Sequence, residues 1–180
     1  MKGKIIESYR KLPVAVRKFL VRATILIIVW KLLYFFILNP IHVPDKMITD
    51  ATAFGTAKVI SWFHFATSVE YLTMRDNIYL NGRKVLGIAH DCNGLELFVL
   101  YIGFLLCIPT NVSRVLLFSI TGILLVYILN VFRCVGLVMM TYNGSHWVDF
   151  AHHYAFKMII YAVIFGLWVL YSKKYNPDAA

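Results

Sequence analysis

The chain has 180 residues, 60% of them hydrophobic and 16% aromatic, with a mean hydropathy of +0.70. Soluble domains are about 45–50% apolar, so this composition excludes a soluble globular enzyme. It points instead to a single integral membrane unit, all-α in class, of about four transmembrane helices with a polar excursion between them. The net charge of +9 does not mark a nucleic-acid binder, because its distribution is uneven. Lys2, Lys4, Arg10, Lys11, Arg17, Lys18 and Arg22 crowd the N-terminus against only Glu7, whereas residues 39–91 balance five basic with five acidic side chains. Basic residues beside apolar helices mark cytoplasmic flanks and meet anionic lipid heads. No basic stripe interleaved with aromatics is present. The three cysteines, Cys92, Cys107 and Cys134, are odd in number and contain no C-x-x-C pair, which argues against a disulfide framework or a structural zinc site.

In chain order, residues 1–19 read as a basic cytoplasmic lead-in, interrupted by Pro13. Residues 20–38 form the first span; the apolar core is long for a signal peptide and no A-x-A-like site follows it. Lys31 interrupts this span eight residues before Asn39, about 12 Å from its outer end. Asn39-Pro40 ends the helix and Pro44-Asp45 continues a loop. Residues 51–72 mix Phe54, Val59, Ile60, Trp62 and Phe63 with Lys58, His64 and Glu70, too polar for a comfortable span. They read as an interfacial or re-entrant helix. Residues 77–91 read as a small extracytoplasmic β-hairpin, because Asn81-Gly82 lies between two β-prone runs and both turn positions need positive φ.

Asp91 reads as the N-cap of a second span over 92–109, with Cys92 in its first turn. Residues 115–140 form the third span, broken at Asn143-Gly144. A histidine-bearing loop follows, then a fourth span over 154–172 closed by Lys173-Lys174. Four spans put the N-terminus, the Arg114 turn and the Lys173-Lys174 end on the cytoplasmic side. Residues 39–91 and 141–153 then lie outside. No internal repeat appears.

This topology brings three polar positions to one face. Cys92 begins the second span. Arg133 is eighteen residues beyond Val115, which is about 27 Å of helix and nearly the hydrocarbon thickness. His152 immediately precedes the fourth span. A helix N-terminus favours a thiolate over a thiol. Glu96, one turn on, opposes that effect unless a cation answers it, and Lys31 lies at a depth to do so. Arg133 has two readings. A guanidinium within an apolar helix can stabilise a developing oxyanion, or the side chain can snorkel to the interface. Asn130 shares its helical face. Asp149 stands three residues before His152 and four before His153, so its carboxylate can orient either imidazole. His90, two residues before Cys92, is a further candidate base.

The ordered set Asp91-Cys92-Asn93-Gly94-Leu95-Glu96, Asn130-Val131-Phe132-Arg133 and Asp149-Phe150-Ala151-His152 resembles the exosortase/archaeosortase family over roughly residues 77–172. Asn93 stands where serine is common in that family, and the chain is of its short bacterial form. The resemblance implies a multi-pass protein of the bacterial cytoplasmic (inner) membrane with its active site on the extracytoplasmic face. It implies a cysteine protease or transpeptidase acting on exported proteins that carry a C-terminal sorting signal and membrane anchor. Cys92 would be the nucleophile, Arg133 the transition-state stabiliser and His152 the general acid/base, with Asn130, Asp149 and Glu96 in support. No metal or organic cofactor is implied. The partners would be the substrate protein and the lipid bilayer, with no nucleic acid. Two other readings compete. A metal- or haem-binding membrane protein would use His146, His152, His153 and Cys134, although their spacing fits no zinc signature. A non-catalytic membrane subunit would use its polar residues to seal helix contacts.

Overall fold

A computed structural model describes residues 12–173 apart from Pro109. Most of the basic lead-in expected over residues 1–19, and Lys174, lie outside the described residues. The protein is mostly helical, at 74%, with one small antiparallel sheet.

Helix α1 spans Val14–Ile41 and begins directly after Pro13. It runs past Asn39-Pro40, where a helix end was expected. Pro40 has no N–H, and its ring crowds the carbonyl four residues back. The helix widens to a π turn over Tyr34–Leu38 just ahead of that point. The break falls instead at His42, at φ 53°. Helix α2, Val43–Ser61, starts at once, with Pro44 and Asp45 in its first turn.

The region expected as one interfacial or re-entrant helix over 51–72 is therefore divided. Its first part belongs to α2, and its last part is strand β1, Thr67–Tyr71. The buried stripe of α2 is Asp45, Thr49, Thr52, Ala53, Thr56 and Ile60. That spacing is helical, but small and polar residues face inward while Met47 and Phe54 face outward. The polar stripe is why the first turns of α2, over residues 43–50, read as loop.

The expected hairpin is there and carries a third strand. Strands β2, Arg75–Leu80, and β3, Arg83–Ala89, pair antiparallel, and β1 adds to β2 in the order β1-β2-β3. Asn81 and Gly82 turn the hairpin at φ 50° and 78°, as a two-residue turn with both angles positive requires. Ile78, Leu80, Val85 and Ile88 point from the sheet onto Ala53 and Ile60 of α2 and onto Cys134 and Val138 of the next long helix. Lys46 of α2 also reaches both Asp50 and the buried Asp76 of β2. Burial pushes the Asp76 carboxyl up and a hydrogen bond with Asp50 adds to this, while Lys46 opposes both.

Helix α3 spans Leu95–Cys107, helix α4 Val112–Tyr142 and helix α5 Val148–Ser172, with a π turn at Ala151–Ala155. Helices α1, α4 and α5 are long and apolar enough to cross a membrane. The second span, expected over 92–109, is thirteen residues of α-helix, about 20 Å long, short of the roughly 30 Å core. Tyr101 and Leu105 of α3, Val126 of α4, and Ile160, Ile164 and Tyr171 of α5 form the second core. Helices α1 and α3 run antiparallel: Arg22 meets the Cys107 carbonyl and Lys31 meets Glu96. At the far end from Cys92, Arg114 donates to the carbonyls of Leu170 and Tyr171 and so closes the C-terminus of α5.

Candidate active site

Strand β3 runs directly into a 3₁₀ turn, His90–Cys92. The chain then turns at Gly94, φ 91°, before α3 begins. Cys92 is thus one short turn ahead of the helix rather than in its first turn, and Gly94 replaces Asp91 as the N-cap residue. The reason is local. The Asn93 side-chain oxygen accepts from the Leu95 N–H at 2.8 Å, which satisfies one of the free donors at the start of α3. Gly94 supplies the left-handed angle that this arrangement needs.

Arg133 lies in the C-terminal third of α4, nine residues before Tyr142 and nineteen beyond Arg114, about 28 Å along the helix. It is 6% exposed, and Nη1 donates to Asn130 Oδ1 at 3.3 Å. Asn130 in turn donates to the Asn93 carbonyl at 2.9 Å and, at a longer 3.5 Å, to that of Cys92. The cysteine loop and the arginine are therefore tied through one amide. The Arg133 Nε is buried and bonded to no group.

His152 lies on the π turn of α5, with Nε2 3.7 Å from Cys92 Sγ. That turn rotates His152 out of the α-helical register. No hydrogen bond joins it to Asp149, whose side chain is exposed; the pair expected from the three-residue spacing is not formed. His153 donates from Nδ1 to the Asp149 carbonyl at 2.9 Å.

Glu96 is ion-paired with Lys31 across α1 and α3 at 3.0 Å. The Glu96 charge is thus answered by Lys31, the cation expected to pair with it. His90 stands beside His42 with ring centres 5.8 Å apart, and its Nε2 and the His42 Nδ1 are buried without partners.

Of these groups, His90, Cys92, Asn93, Glu96, Arg133, His152 and His153 line one cavity of about 470 Å³, together with Asp45, Lys157, Ile160 and Tyr161. The cavity reaches from the cysteine loop down along α5, so it extends to the depth of an apolar helix. Three groups in it were not singled out from the sequence: Asp45, Lys157 and the amide of Asn93. The signal for Asp45 was available, since Pro followed by Asp is a helix start, but the surrounding residues read as loop. Lys157 lies within the fourth apolar run and carries no periodic signal of its own. Among the described residues, no three of His, Cys, Asp and Glu come together as metal ligands. Cys134 is buried in the core beneath the sheet and His146 is exposed outside the cavity.

A thiol, an imidazole and a buried guanidinium thus meet in one cavity of a protein with three helices long and apolar enough to cross a membrane. The family model for transmembrane exosortase (EpsH) matches residues 14–170, and the chain belongs to that family. Exosortases are in general cysteine peptidases or transpeptidases of the membrane, with a role in protein sorting. No curated protein and no solved structure matches the chain.

Proposed function

We propose that this protein is a membrane cysteine protease/transpeptidase that cleaves the C-terminal, membrane-anchored sorting signal of exported proteins at the outer face of the cytoplasmic membrane. The observation that carries the reading is the 3.7 Å approach of Cys92 Sγ to His152 Nε2 in a cavity also lined by Arg133. Family membership supports the reaction class.

The mechanism follows from the geometry. His152 takes the proton of Cys92, and the thiolate attacks the scissile carbonyl carbon. The carbonyl oxygen becomes an oxyanion, which the Arg133 guanidinium stabilises. As the C–N bond breaks, His152 returns the proton to the leaving amine, and the anchor departs. That collapse leaves the acyl group on Cys92 as a thioester, through the C–S bond made in the attack. An amine, a hydroxyl or water attacks that thioester, with His152 as base, and the thiol is regenerated.

In this reading α1, α3, α4 and α5 are all spans, with α3 completed by the turns at its two ends. The Arg114 turn faces the cytoplasm by the excess of positive charge there. The extended reach of the cavity along α5 suits a substrate whose cleavage point is next to a membrane helix.

The test is processing of a co-encoded protein with a C-terminal anchor in cells carrying Cys92→Ala or Cys92→Ser. Both variants are expected to abolish processing. Full processing in either would refute the cysteine mechanism and favour a non-catalytic membrane subunit.

A further inference from the structure

Asp45 is 2% exposed and lies in the first turn of α2, yet it lines the same cavity as Cys92. Among the described residues, no cation lies within ion-pair distance of it. Its partner is an amide: Asn93 Nδ2 donates to Asp45 Oδ1 at 3.0 Å and to the Asp45 carbonyl at 3.0 Å. Thr49 Oγ1 is a third acceptor for the same group at 3.3 Å and itself donates to the Asp45 carbonyl at 2.7 Å. Asn93 is 1% exposed, and its other end is equally committed. Its side-chain oxygen holds the Leu95 N–H, and its carbonyl accepts from Asn130. Asn130 then holds Arg133.

The result is one buried polar chain that starts at the Asp45 carboxylate and passes through the residue next to Cys92. It ends at the guanidinium. A buried network of this kind fixes geometry only while every member is satisfied. Asp45 is the only anionic member, and its Oδ1 is the one charged acceptor among the three around the Asn93 amide.

We infer that Asp45 is a positioning residue for Cys92, acting through Asn93 to hold the cysteine turn over the start of α3 and within reach of His152. This rests on the cysteine mechanism proposed above. The proposal distinguishes what the oxygen does from what the charge does. The Oδ1 acceptor is the working part, so an amide at position 45 can replace the carboxylate. A carboxylate at position 93 opposite Asp45 cannot be tolerated, because two anions would then meet at a distance now bridged by an N–H.

The experiment measures the rate constant for alkylation of Cys92 by iodoacetamide in the full-length, detergent-solubilised protein, with Cys92→Ala as the blank. No substrate is required, so the result stands apart from the processing assay. If Cys92→Ala still processed substrate, the proposed function would fail while the positioning result remained readable. Asp45→Ala is expected to slow alkylation by about tenfold, the size of effect that follows from removing the charged acceptor of a buried amide and leaving it only the residue-45 carbonyl and Thr49 Oγ1. Asp45→Asn is expected to stay within about threefold of the parent, because one acceptor oxygen remains. Asn93→Asp should slow alkylation by at least about tenfold, and combining it with Asp45→Asn should recover most of that loss by exchanging donor and acceptor.

Should Asp45→Ala fail to fold, the exchanged pair decides the matter. Wild-type alkylation in Asp45→Ala, or a double variant no faster than Asn93→Asp, would overturn the proposal.

Discussion

Arg133 illustrates how a single residue within an apolar helix is made usable. A guanidinium there is costly unless its donors are occupied. Asn130 occupies one, leaving the buried Nε without a protein partner beside a cavity in which an oxyanion would form. Arg133→Gln removes that donor fork and is expected to lower the processing rate by about 10²–10³-fold, the usual consequence of deleting an oxyanion donor. A loss of less than threefold in a steady-state assay would assign the side chain to packing. The Lys31–Glu96 pair belongs to the same scale. Each single removal leaves one charge uncompensated at membrane depth, so Glu96→Gln should partly rescue Lys31→Met in processing and in detergent thermal stability. Independent, additive losses would mean that the 3.0 Å contact carries no coupling. Depth arithmetic along the apolar runs brought Lys31 to Glu96 and Arg133 to the level of Cys92. The Asp149–His152 pair was not accessible in that way, because three-residue spacing implies one face only in an α-helix, and this stretch of α5 is a π turn.

At the scale of elements, close packing of α3 against α4 depends on Gly122, where a Cβ would overlap the ring of the buried Tyr101. Gly122→Ala is expected to cost about 1–3 kcal/mol, read as a lower melting temperature, with Tyr101→Leu restoring it. An unchanged melting temperature in Gly122→Ala would contradict that packing. The sheet has its own test. Hydrogen bonds from Asn77 and then Tyr79 hold the Glu70 carboxyl below its ordinary value. A carboxyl depressed in the folded state contributes stability above its unfolded value and loses it as pH falls through the folded one. The stability gap between the parent and Glu70→Gln should therefore be present at neutral pH and close below about pH 4; a gap constant with pH would contradict this. The long apolar helices and the Asn81-Gly82 hairpin were legible because their signals are local. Helix α2 was legible only from residue 51 on, within the helix read over 51–72; its start read as loop because the stripe it buries there is polar, Asp45 and Thr49, while Met47 faces outward. Strand β1 was hidden for a related reason: it is short, with only Val69 and Thr67 even half-covered by the rest of the protein.

The whole molecule brings distant segments together: the 3₁₀ turn after β3, the C-terminal third of α4 and the π turn near the start of α5. Helix α2 and the sheet cover that junction on one side, while the cavity continues along α5 toward Ile160 and Tyr161. A membrane-impermeant maleimide should label Cys92 in intact cells, since it is partly exposed while Cys107 and Cys134 are buried. Labelling only after permeabilisation would reverse the orientation. The central claim is that Cys92 carries the acyl group. It is tested most directly by acid-quenching the enzyme during turnover of an anchored substrate and measuring the mass of the peptide containing Cys92. The account predicts an added mass equal to the substrate's cleaved N-terminal portion, released by hydroxylamine as a thioester would be and absent from Cys92→Ala. Turnover with Cys92 free at every time point, or the acyl group on another residue, would contradict it.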